Sequence, residues 1–158
     1  MGRAASVFLL TLILALAPGT VGASGSRPNA PCSPSPNDGA GPFTRGTPPL
    51  RAKIGTGHVL RGLIVSTLDC KPIRGARVEL WQSNKKGKYV RAGSGTVFTN
   101  AAGRFRFEGP FPPSYEGRPP HIHLRVTAPG HDILLTRAAP PPGARITSLT
   151  LVLDAAPV

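Results

Sequence analysis

From His58 onward the chain alternates apolar and polar residues with a period of two, in short runs cut off at hairpin-like spacing. The runs are 58–65, 77–82, 88–91, 97–99, 104–108, 121–127, 132–137 and 146–154. Between them stand Asp69-Cys70-Lys71-Pro72, residues 84–87, 100–103 and 109–120, Pro129-Gly130, and residues 138–143, all rich in residues that end strands and make turns. In the run 104–108, Phe105 and Phe107 share one face while Arg104, Arg106 and Glu108 share the other, as a strand with one wet side requires. No interval between breakers has room for an amphipathic helix of ordinary length. The pattern predicts an all-β domain over residues 58–158, built as a two-sheet antiparallel β-sandwich.

Upstream the alternation is absent. Residues 24–57 carry Pro28, Pro31, Pro34, Pro36, Pro42, Pro48 and Pro49, which predicts an extended N-terminal arm without regular pairing, lying over the domain. Residues 1–23 read as a signal peptide: Arg3, an apolar run from Val7 to Leu16 too short to span a bilayer, and Val21-Gly22-Ala23 at the cleavage position. The mature chain is expected to begin at Ser24 and to be exported, secreted or periplasmic. No membrane anchor is expected, because no cysteine follows the run as a lipid attachment point.

Composition narrows the class. With 19 Gly and 19 Pro in 158 residues the chain is one domain and not a helical bundle. It has no three-residue repeat and is 40% apolar, which excludes collagen and a wholly disordered chain. The net charge is +12, yet the cations are scattered, with only Lys85-Lys86 adjacent, and no nucleic-acid-binding signature accompanies them. A general attraction to anionic polymers or substrates is what this charge implies. The only cysteines, Cys32 and Cys70, form an even pair in an exported chain, and are expected to be disulfide-bonded, tying the arm to the body. A metal-binding thiol pair would need a CxxC or a nearby Cys/His spacing, which is missing.

Candidate chemistry concentrates in His121-Ile122-His123. On a strand the two imidazoles share one side, able to chelate one metal, while Ile122, Leu124 and Val126 face the core. A bare pair of this kind is equally a pair of surface histidines. The tyrosines change the picture: there are two, Tyr89 and Tyr115, and Tyr115 stands six residues before His121 in a Pro-rich loop ending Arg118-Pro119-Pro120. A phenolate is a hard anionic oxygen ligand, suited to a highly charged ion such as Fe(III).

Three blocks extend the pattern: residues 71–82, from Lys71-Pro72-Ile73-Arg74-Gly75-Ala76 to Trp81-Gln82; then Gly87-Lys88-Tyr89; then Thr99 with Gly103-Arg104-Phe105-Arg106-Phe107. With Tyr115-Glu116-Gly117-Arg118-Pro119-Pro120-His121-Ile122-His123 they resemble the intradiol ring-cleavage dioxygenases, which include protocatechuate and catechol dioxygenases. The resemblance runs from about Gly62 to Thr136, and Cys32 followed by Gly41-Pro42-Phe43 is similar to secreted single-domain members. It implies one mononuclear non-haem Fe(III) per chain, held by Tyr89, Tyr115, His121 and His123, with Tyr115 and His123 axial. It implies a catechol substrate cleaved with O2 between its two hydroxylated carbons to a muconate-type dicarboxylic acid. Tyr115, displaced on substrate binding, would take one catechol proton, and Arg118 would stabilise charge developing on the ring.

The chain departs from the family at two places: Arg137 follows Thr136 where a glutamine near the active site is common, and Thr44 follows Gly41-Pro42-Phe43 where an aromatic is common. A rival reading is a non-catalytic transthyretin-like module that retains a metal site. A third is a copper or zinc protein that adds His58 or His131 to the histidine pair; both are expected at the surface. The identity of the catechol and the oligomeric state, a homo-oligomer included, stay open.

Overall fold

Seven strands form where the alternation predicts them: β1 (His58–Ser66), β2 (Arg77–Ser83), β3 (Tyr89–Phe98), β4 (Arg104–Gly109), β5 (Ile122–Thr127), β6 (Leu134–Ala138) and β7 (Ile146–Leu153). The structure, a computed structural model, describes Met1, residues 32–38 and residues 46–157. The expected signal peptide, its cleavage site, the start of the arm at Ser24 and the segment from Gly41 to Thr44 lie outside the described residues. Among the described residues there is no helix, and so none long and apolar enough to cross a membrane.

The strands make two sheets, one of three strands in the order β4-β1-β7 and one of four in the order β3-β2-β5-β6. All pairs are antiparallel except β1 with β7, which run parallel. This pair departs from the all-antiparallel expectation because β6 ends on the other sheet, and the crossover through residues 139–145 brings the chain back beside β1 in the same direction. The runs 88–91 and 97–99 are one strand rather than two. The glycines between them do not break it; they admit close neighbours. A Cβ on Gly93 would meet the Gln82 carbonyl oxygen at 2.7 Å, and one on Gly95 would meet the Arg51 carbonyl oxygen and the Phe107 ring, each at 2.6 Å.

The core between the sheets takes Leu60 and Ile64 from β1, Phe105 and Phe107 from β4, Leu151 and Leu153 from β7, and faces Val78, Leu80, Ile122, Leu124 and Val126 on the larger sheet. Each such side chain contributes roughly 1.5–3 kcal/mol by leaving water. A one-residue slip of β5 would trade Ile122, Leu124 and Val126 for His123 and Arg125, so the register that sets the histidines is held by the whole core.

The arm crosses both sheets. Leu50 bridges Thr96 on β3 and Lys53 bridges Glu108 on β4, both in parallel sense, so residues 50–53 clasp the two sheet edges together. Farther upstream Cys32 and Cys70 are disulfide-bonded as expected, with Cα atoms 5.5 Å apart. The Ser35 backbone N–H donates to the Val152 carbonyl and the Ser35 hydroxyl accepts from the Val152 N–H, at 3.0 and 2.9 Å.

His58 corrects a surface expectation. It is 1% exposed, its Nε2 lies 2.9 Å from the Thr147 hydroxyl, and its ring packs edge-on against Phe111. It shares the inward parity of Leu60 and Ile64, and burial holds its pKa below the usual histidine value. His131 is half-buried, with Nε2 2.8 Å from the Ser66 hydroxyl.

Candidate metal centre

The histidines come from β5 and the residue before it. His123 lies on the outer face of the four-stranded sheet, opposite Trp81 on β2 and Arg137 on β6. Beside this row, Glu79 is 2% exposed and receives Arg77 at 2.9 Å as well as Arg125, whose guanidinium lies 5.4 Å from the Trp81 ring centroid. The buried carboxylate and its two cations brace the sheet face next to His123. His121 precedes β5 rather than opening it. Its Nδ1–H donates to the Pro119 carbonyl at 2.7 Å, which leaves Nε2 with the lone pair. The Nε2 atoms of His121 and His123 are 3.1 Å apart. Burial first, then unfavourable electrostatics with His121 and with the cations Arg137 and Arg118, pushes the His123 pKa down to about 4, so its imidazole is neutral and able to donate electrons at neutral pH.

The tyrosines come from turns. Asn84 closes the first turn: its carbonyl accepts from the Gly87 N–H at 2.9 Å, and its side-chain oxygen accepts from the N–H groups of Lys86 and Lys88 at 2.9 and 3.1 Å. A register shift between Trp81 and Ser83 then sets Tyr89 opposite Ser83. The second turn is Tyr115-Glu116-Gly117-Arg118. Both middle residues have positive φ, 48° and 72°, and the Arg118 N–H donates to the Tyr115 carbonyl at 2.8 Å, a type I′ turn. Gly87 is required between the two: at φ 70° a Cβ there would press on Tyr115 Cβ at 3.2 Å.

These four side chains converge. The phenol oxygens of Tyr89 and Tyr115 are 2.7 Å apart and lie 3.2 and 3.4 Å from His121 Nε2. Such separations match the edges of a coordination shell with bonds of about 2.0–2.1 Å. Burial, and then the hydrogen bond and charge of Tyr115, push the Tyr89 pKa up, opposed by Arg118; a strongly charged cation is what such a phenol needs to ionise. Two hard oxygens and two neutral imidazoles fit a trivalent ion. Among the described residues no cluster of three or more His, Cys, Asp or Glu accompanies them, and His58 and His131 have partners elsewhere. Arg118 is exposed, its guanidinium 5.8 Å from the Tyr115 ring centroid. A hollow of about 1050 Å³, lined among others by Arg61, Leu63, Arg104 and Thr150 of the three-stranded sheet, contains none of these donors.

Sequence reading brings together all four donors and Arg118, but not the groups that aim them. The Pro119 carbonyl, the Gly87 contact and the Trp81 neighbour of His123 come from pairing and turn geometry. The turns at residues 84–87 and 115–118 lay within the breaker clusters and so left a local signal.

A protein-family model described as a dioxygenase matches residues 44–141. The chain is similar to the catechol 1,2-dioxygenase of Candida albicans (strain SC5314 / ATCC MYA-2876), 31% identical over 49% of this chain and 34% of that protein. It spans about a third of the length of the curated relatives it matches. Among solved structures it is similar to the dioxygenase domain of a dioxygenase and carbohydrate-binding protein fusion from Streptomyces sp. SirexAA-E, with TM-score 0.69 and 26% identity over 78% of this chain and 100% of that one. It is also similar to an intradiol ring-cleavage dioxygenase from Tetranychus urticae, with TM-score 0.63 and 32% identity over 68% of this chain and 65% of that one.

Proposed function

Because the chain belongs to the intradiol dioxygenase family, we propose that it is an exported Fe(III) enzyme that cleaves catechol-type rings between their two hydroxylated carbons with O2, giving muconate-type dicarboxylic acids. The convergence of Tyr89, Tyr115, His121 and His123 on one point carries the reading. Iron bound there would take both oxygens of the diphenol and make its ring electron-rich enough to meet O2. The chain's own residues supply the rest. Tyr115, carried on a turn rather than inside a strand, accepts one phenolic proton at its oxygen. His121 is held by Pro119 with Nε2 toward the site, and the braced sheet face holds His123. Arg118, beside the Tyr115 ring, offers a fixed cation to charge developing on the substrate. The partners of the reaction are a small diphenol and O2.

Metal analysis and oxygen uptake test the proposal on the same sample. The expected result is about one iron per chain, a visible phenolate-to-iron absorption that Tyr89→Phe shifts or weakens, and O2 consumed as catechol disappears. A colourless, zinc-loaded protein after iron reconstitution, or an iron-loaded one that consumes no O2 with any simple diphenol, overturns it.

A further inference from the structure

Two guanidinium groups border the donor cluster. Arg118 lies against Tyr115; the other, Arg137, stands on β6 opposite His123, so both side chains of that pair leave the same outer face of the sheet. The Cβ atoms of such a pair are about 5 Å apart.

The direction of Arg137 is fixed from the arm. Its Nε meets the Asp38 carboxylate at 3.2 Å, and the Asp38 backbone N–H donates to the Leu135 carbonyl at 2.8 Å, two residues back along β6. Asp38 is in turn held through Ser35 on β7 and the Cys32–Cys70 bridge. A half-exposed ion pair of this kind adds little stability, so orientation is its main effect. The closest approach to Asp38 is through Nε, so the pair does not depend on the two terminal NH2 groups. That edge of a guanidinium matches a carboxylate, two N–H groups to two oxygens.

An unsubstituted catechol, held through its two oxygens with Arg118 beside the ring, carries no charged substituent for this second cation to meet. A ring that carries its own acid has one. A neutral side chain at this position would offer that acid no charge. We propose that Arg137, oriented by Asp38, is a specificity-determining residue that receives a carboxylate on the diphenol, so that acid-bearing catechols are the preferred substrates. The inference rests on the dioxygenase reading above and adds the substrate class to it.

Steady-state oxygen uptake by the iron-loaded full chain tests it with 3,4-dihydroxybenzoate and 4-methylcatechol, which differ in the carboxylate at similar size. The wild type is expected to favour the acid in kcat/KM. Arg137→Gln is expected to cut the acid-to-methyl ratio about tenfold, carried by KM rather than kcat, and Arg137→Lys to restore part of it. Asp38→Asn, a positioning variant, is expected to lower the same ratio less. Calorimetric binding of 4-hydroxybenzoate against phenol gives a readout without turnover, and Arg137→Gln should weaken only the acid. A ratio unchanged by Arg137→Gln, or KM raised equally for both substrates, overturns the inference while leaving the dioxygenase reading in place. Absence of O2 uptake with every diphenol overturns that reading instead, and the calorimetric pair then still decides the role of Arg137.

Discussion

The histidines and the tyrosines of the site reach it by different physical means. His123 sits in a strand whose alternate residues Ile122, Leu124 and Val126 are buried to 1%, 1% and 0% exposure, so misplacing it would unseat part of the core. His121 is one residue upstream and locked by Pro119. Tyr115 instead depends on a two-residue turn with positive φ, and Tyr89 on a turn closed by Asn84 and the register shift after Trp81. Turn conformations of this sort are worth about one or two kcal/mol each, against the many that hold a core strand. Half of the site is therefore held by the fold as a whole, and half by local geometry that few contacts protect.

The strand-borne half gives the largest expected effect. His123→Ala should lose the iron and lower turnover by at least roughly three powers of ten, while circular dichroism and melting stay close to wild type because the side chain faces outward. On the turn, Arg118→Ala is expected to cut catechol turnover by about two to three powers of ten with iron content and absorption kept. Loss of iron in that variant would instead make Arg118 a structural residue. A matched pair of glycine variants isolates the turn itself. Gly117 and Gly143 have φ of 72° and 75°, and at both a Cβ would have no neighbour within 4 Å, so Gly117→Val and Gly143→Val should each cost about 1–2 kcal/mol in denaturant melts. Only the first should weaken iron binding, about tenfold, since only that turn carries a donor. Equal iron affinity in the two would place Tyr115 under the control of the fold instead. The smallest effect on the site is expected from Cys32→Ser. It should lower stability by about 3–4 kcal/mol on the loop-entropy scale, read as a lower melting temperature, with iron retained.

The strands, the faces of β4 and β5 and the inward positions of the core were legible because burial imposes a period of two that the sequence must obey. His58 was misread from its residue type, which points to the surface; it shares parity with Leu60 and Ile64 and is buried with them. Gly93 and Gly95 were misleading because a glycine admitting a close neighbour looks the same in sequence as one ending a strand. The donors themselves stood out as rare residue types at a recognisable spacing. What hid was pairing across strands, Trp81 beside His123 and the parallel match of β1 with β7, because neither is encoded between residues adjacent in the chain.

That parallel match also constrains how the molecule is made. β1 is the centre of its sheet, with β4 on one side and β7 on the other, and Val59 pairs with Ile146 while Ser66 pairs with Leu153. During synthesis the middle strand waits with one edge open until β7, far along the chain, has followed it, and closing so distant a pair is slow. A nascent chain that cannot finish its sandwich early remains threadable, which suits the proposed export: passage through a secretion channel first, folding on the far side.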